Sequence, residues 1–96
     1  MKRNEIINVL RDYKNQFAGV YGIIALGVFG SCARDEADEF SDVDVVIRLR
    51  KTELFMLAGI KNDLEDRLER PVDIVTYRDA MNQFLKKRID REAVYV

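Results

Sequence analysis

Two periods of apolar and polar residues divide this chain into elements. Ile6, Ile7, Leu10, Tyr13 and Phe17 recur at helical spacing, so a helix is expected from about Asn4 to Phe17, stopping before Gly19. Ile23, Ile24, Ala25, Leu26, Gly27, Val28 and Phe29 then form an uncharged apolar run, the pattern of a buried strand that ends at Gly30. Ser31 is suited to cap a short helical stretch after it. From Asp42 the period becomes two: Val43, Val45 and Ile47 alternate with Asp42, Asp44, Val46 and Arg48, which predicts a strand with its valines inward and both aspartates on the opposite face.

The remaining pattern reads as scaffold. Thr52 can cap a second helix whose face is marked by Leu54, Leu57, Leu64 and Leu68, weakened slightly by Gly59, with Pro71 just past its end. Val72, Ile74, Val75 and Thr76 make a short β-branched strand interrupted by Asp73. A last helix is expected from Asp79 to Asp90, with Met81, Phe84, Leu85 and Ile89 inward and Lys86, Lys87 and Arg88 at its basic end. The order helix, strand, short helix, strand, helix, strand, helix predicts an α/β fold with a small mixed β-sheet packed with helices. The apolar finish from Ala93 to Val96 serves to cap this core, or to pair with a partner or a second copy in a homo-oligomer.

Chemistry enters through three acids. Residues two apart on one strand face are close enough for Asp42 and Asp44 to share a hard divalent cation such as Mg²⁺ or Mn²⁺, although a solvated strand start is the better explanation of that pair alone. Asp73 shifts the balance. A carboxylate between Val72 and Ile74 needs either solvent or a cationic partner. From Asp35 to Asp44 there are six acids, Asp35, Glu36, Asp38, Glu39, Asp42 and Asp44, and no base, so bare ATP would be repelled unless divalent cations reversed the field. Glu36, Asp38 and Glu39 are read as hydrating a surface loop.

Gly30-Ser31 followed by Asp42-x-Asp44 and a later strand aspartate, Asp73, resembles the minimal nucleotidyltransferases of the DNA polymerase β superfamily. Ala33-Arg34, Arg70-Pro71-Val72-Asp73-Ile74-Val75 and Ile89-Asp90-Arg91-Glu92-Ala93-Val94-Tyr95 are similar to its prokaryotic minimal branch, so the likeness spans nearly the whole chain. The resemblance implies a polymerase β-like fold, with Gly30 and Ser31 on the β and γ phosphates of ATP or another NTP. It implies Asp42, Asp44 and Asp73 as metal ligands and catalytic residues, Asp73 orienting or deprotonating the acceptor hydroxyl. Arg34 would neutralise phosphate charge or lie exposed. The family usually carries glycine after Ala-Arg, where this chain has Asp35. Cys32 is read as packing, since no histidine exists to activate it. Minimal members often pair with a helical HEPN toxin and act as its antitoxin, transferring AMP to a toxin tyrosine. The alternative is an inactive binding module that neutralises its partner by contact. Transfer to an antibiotic or RNA generally requires an added acceptor domain, and an Asp-x-Asp glycosyltransferase needs a longer chain.

Composition narrows the classes. Ninety-six residues, 48% of them hydrophobic, allow one domain over residues 1–96 with one core. One cysteine precludes an internal disulfide, and with no histidine a structural zinc site is excluded. The absence of a signal-like or long apolar segment places the expected location in the cytoplasm, off the membrane. A net charge of −1 supplies no general attraction to nucleic acid.

Overall fold

The computed structural model describes residues 1–36, 38 and 41–96. Helix α1 (Arg3–Tyr21) leads into strand β1 (Ile23–Phe29). Strand β2 (Val43–Leu49), helix α2 (Leu54–Leu68), strand β3 (Val72–Thr76), helix α3 (Gln83–Glu92) and strand β4 (Val94–Tyr95) follow. The sheet order is β3-β2-β1-β4. β1 is antiparallel to both β2 and β4, while β2 and β3 are parallel, with α2 as their crossover.

The valines divide the sheet as the alternation predicts. Val43, Val45, Ile47 and Leu49 are buried on the face covered by α1 and α2, together with Ile23, Leu26 and Val28. Helix α1 supplies Ile6, Ile7, Leu10 and Tyr13 to this core, and α2 supplies Ile60, Leu64 and Leu68. Fully burying side chains of this size contributes about 1.5–3 kcal/mol each. Tyr13 hydrogen-bonds Asp63 of α2 at 2.8 Å, and Arg67 lies over the Tyr13 and Phe17 rings at 4.9 and 5.6 Å. These contacts fix α1 against α2. Among the described residues, the opposite sheet face is covered by α3, which buries Ile89 against Phe29 and Val46.

Several expected boundaries move. Gly19 does not end α1; the helix continues to Tyr21 and stops at Gly22, whose φ of 65° is the left-handed cap that glycine adopts without strain. Ser31 caps no helix, because residues 30–36 form one closed turn rather than a helical element. The N-cap of α2 is Glu53 rather than Thr52, and Leu54 is 81% exposed because the inward stripe runs through Leu57, Ile60, Leu64 and Leu68. Asn82, not Asp79, starts α3 by accepting the Leu85 N–H at 3.0 Å. Phe84 points outward, 87% exposed, and Met81 lies before the helix.

The finish is a strand of this sheet. Val94 and Tyr95 pair with Val28 and Gly27, and the Val96 N–H bonds the Leu26 carbonyl at 2.9 Å. Gly27 makes the close pairing possible, since a Cβ there would meet the Val94 carbonyl oxygen at 2.7 Å.

Candidate active site

The turn after β1 begins at Gly30, with φ at 72°. A Cβ on Gly30 would collide with Asp44 Oδ2, so glycine is required both by the backbone conformation and by the carboxylate packed on it. Arg34 N–H bonds the Gly30 carbonyl at 3.2 Å. Glu36 N–H then bonds the Ser31 carbonyl at 2.9 Å and Asp35 N–H the Cys32 carbonyl at 3.2 Å. This pair of bonds around a left-handed residue is a Schellman closure, and Asp35 is that residue, with φ at 57°. The glycine that the resemblance leads one to expect at this position would suit this left-handed backbone. Asp35 accommodates the turn because a short polar side chain tolerates the left-handed region better than most.

Cys32 and Ala33 are buried in the main core, anchoring the turn from below. Burial pushes the Cys32 thiol above its ordinary pKa, and its Sγ donates to the Asp42 carbonyl at 3.7 Å. It therefore packs rather than reacts. Ser31 is half-buried and Arg34 exposed. Arg34 pairs with Glu36 at 3.0 Å and with Glu92 of α3 at 2.7 Å.

The three aspartates come from neighbouring segments. Asp44 lies within β2, Asp42 one residue before it, and Asp73 in β3 directly beside Asp44 in the parallel register. Asp42 and Asp73 are exposed, whereas Asp44 is half-buried. Burial raises the Asp44 carboxyl above the usual range; Arg88 opposes this, and the charges of Asp73 and Asp42 add to it. Arg88 Nη2 stands 4.0 Å from Asp44 Oδ2. Among the described residues, no three His, Cys, Asp or Glu side chains form a ready-made cage for a metal ion. The donor chemistry nevertheless fits a hard cation: carboxylate oxygens alone, on adjacent positions, with mutual repulsion that a divalent ion would relieve.

Residues not singled out by the sequence pattern complete the surroundings. Arg70 is buried, and it donates from Nε to the Ser41 carbonyl at 3.0 Å and from Nη2 to the Asp38 carbonyl at 2.7 Å. The Val43 N–H bonds the Pro71 carbonyl at 2.9 Å. Together these contacts tie the approach to Asp42 onto the start of β3. A lone arginine before proline offered only the hint of its position. Arg88 and Glu92 of α3 reach the site across the sheet, a placement that helical periodicity cannot disclose. Of the loop acids, Glu36 and Asp38 are exposed as expected, and Glu39 lies outside the described residues.

A cavity of about 290 Å³ lies farther along the same sheet face, lined by Arg48, Tyr77, Asp90 and Tyr95. Val46, which also lines it, stands between Asp44 and Arg48 on that face of β2. No described helix is long and apolar enough to cross a membrane.

Comparison with known proteins bears on family and fold. The chain is 34% identical over 94 residues to a Methanocaldococcus jannaschii protein named provisionally as a protein adenylyltransferase, covering 97% of this chain and 96% of that one. It is 33% identical to the protein adenylyltransferase MntA of Thermococcus cleftensis, covering 96% and 93%. A solved structure described provisionally as a minimal nucleotidyltransferase superposes with a TM-score of 0.79 at 33% identity, over 98% of this chain and 95% of that one. The fold also recurs, with a TM-score of 0.61 and 19% identity over 97% and 67% of the chains, in a complex of a tri-AMPylated Shewanella oneidensis HEPN toxin with its MNT antitoxin. Residues 4–96 match the family described as Polymerase beta, Nucleotidyltransferase, and the chain, with its Gly30 turn packed on Asp44 and Asp73 beside Asp44 in register, belongs to that family of nucleotidyltransferases.

Proposed function

We propose that this chain transfers AMP from ATP to a protein hydroxyl on a helical HEPN-type toxin, and so serves as that toxin's antitoxin. The observation that carries the reading is the Gly30 turn packed on Asp44, with Asp73 alongside in register. Relatives named as protein adenylyltransferases and the AMPylated toxin in the Shewanella oneidensis complex support the acceptor class.

In this scheme Gly30 and Ser31 hold the β and γ phosphates, and the missing Cβ lets phosphate oxygens approach the backbone. Asp42, Asp44 and Asp73 would hold Mg²⁺ or Mn²⁺, which supplies charge neutralisation and a lowered pKa at the acceptor hydroxyl. Asp73, exposed beside Asp44, accepts the hydroxyl proton. The acceptor oxygen bonds to the α-phosphorus in line as the bond to the β-phosphate oxygen breaks, and pyrophosphate leaves. Asp35 is the feature that keeps the inactive contact module as the alternative, although its backbone closes the turn as glycine would.

The test is incubation with ATP labelled on the α-phosphate, Mg²⁺ and a lysate containing the partner, beside Asp42→Asn/Asp44→Asn. Label on one discrete protein with the parent chain only is the expected result. Transfer retained by the double variant refutes the site, and no transfer by a folded parent chain with the partner present favours neutralisation by contact.

A further inference from the structure

Resting on the nucleotidyltransferase reading, the charges of α3 extend the site. Arg88 Nη2 lies 4.0 Å from Asp44 Oδ2, and a Cβ on Gly30 would come within 3.1 Å of the same nitrogen. The guanidinium therefore stands over the turn that receives phosphate in the scheme above. Its Nε donates to Glu92 Oε2 at 3.2 Å, while Glu92 Oε1 accepts from Arg34 Nη1 at 2.7 Å. One carboxylate thus holds two arginines, Arg34 from the turn and Arg88 from the helix. Burial pushes Glu92 upward, but the bonds and charges of Arg88 and Arg34 outweigh it and keep the carboxyl below its ordinary range.

An ordinary surface pair would also join Arg88 to Glu92, four residues apart on a helix. Two observations separate this case from that one. Arg88 Nη2 reaches two other segments, Gly30 and β2. Its distance to Asp44 is too long for a hydrogen bond, so this end of a five-donor group is not committed to the carboxylate. A planar guanidinium also matches phosphate oxygens in pairs.

We infer that Arg88 contacts the terminal phosphates of the nucleoside triphosphate, and that Glu92 is a positioning residue that aims Arg88 and Arg34 at them. The experiment is calorimetric titration with ATP and AMP in Mg²⁺, using the parent chain, Arg88→Ala, Arg88→Lys, Glu92→Gln and the double variant Arg88→Ala/Glu92→Gln. Removing a charge-assisted contact predicts roughly ten- to hundredfold weaker ATP binding in Arg88→Ala. AMP binding should be nearly unchanged, Arg88→Lys should recover part of the loss, and the effect of Glu92→Gln should shrink when Arg88 is already alanine. Arg88→Lys keeps the charge and the aliphatic stem, which separates lost contact from lost folding. Unchanged ATP binding in Arg88→Ala, or equal losses for ATP and AMP, overturns the assignment of Arg88 while leaving the nucleotide site standing. A folded parent chain that binds no ATP overturns both.

Discussion

Replacing Gly30 by alanine perturbs two things that can be measured separately. The backbone there has φ at 72°, and holding an L-residue in the left-handed region costs about 1–2 kcal/mol. Alanine also restricts the unfolded chain, which returns roughly 0.4–1 kcal/mol, so the net destabilisation is about 1 kcal/mol. For a domain of this size that corresponds to a melting temperature lower by about 4–8 °C. The second effect is local. The new Cβ would displace the Asp44 carboxylate, a side-chain rotation that costs little stability but moves a proposed ligand out of place. Gly22→Ala is the matched control: φ is 65°, yet the added Cβ would meet the flexible Arg50 side chain no closer than an ordinary 3.4 Å. Urea unfolding of both variants, with Mg²⁺-ATP titration, should show similar losses of stability and loss of nucleotide binding in Gly30→Ala alone. Equal nucleotide binding in the parent chain and Gly30→Ala would refute the argument that Asp44 must pack on a bare backbone.

Two further outcomes are expected. Tyr13 is fully buried, and burial, its bond to Asp63 and the Asp63 charge raise its pKa above the ordinary 10, with Arg67 partly opposing. Above pH 10 the unfolded chain releases this proton before the native state does, so stability falls as pH rises; Tyr13→Phe should be about 1 kcal/mol less stable at neutral pH and show a flatter decline in alkaline urea titrations. An equally steep decline in that variant would remove Tyr13 as the cause. Asp35→Gly should stabilise by about 0.5 kcal/mol in urea midpoints, since glycine relieves the left-handed strain but loses more entropy on folding. Destabilisation by a similar amount would mean that the Asp35 side chain holds the turn.

Much of the fold is legible because burial on one sheet face imposes a period of two. Val43, Val45 and Ile47 announce β2, and the uncharged run before Gly30 bounds β1. Helix ends are less legible: Gly19 and Gly22 are the same residue type, and only the backbone conformation distinguishes helix interior from cap. Met81, Leu85 and Ile89 face the core as their spacing predicts, while Phe84 points outward, an apolar residue whose side composition does not reveal. β4 is two residues long, too short to carry a period. In the site, Gly30, Ser31, Asp42, Asp44 and Asp73 stand out because charge or glycine interrupts an apolar pattern. Arg70, Arg88 and Glu92 do not, because polar residues near helix ends are ordinary until tertiary packing brings them over Asp44 and the loop.

The parallel pairing of β2 and β3 makes the meeting of Asp44 and Asp73 a matter of counting rather than of adjustment. Val72 is buried, Asp73 exposed and Ile74 half-buried, so a slip of one residue would turn the carboxylate into the core and an aliphatic side chain toward solvent. Intermediate arrangements do not exist. An insertion or deletion in the turn between β2 and α2 changes only the length of a connection, whereas one that shifts β2 against β3 takes the carboxylate pair apart. Length variation among relatives should therefore gather in the connections, and a designer seeking to graft an acceptor-recognition segment onto this scaffold has those places to do it.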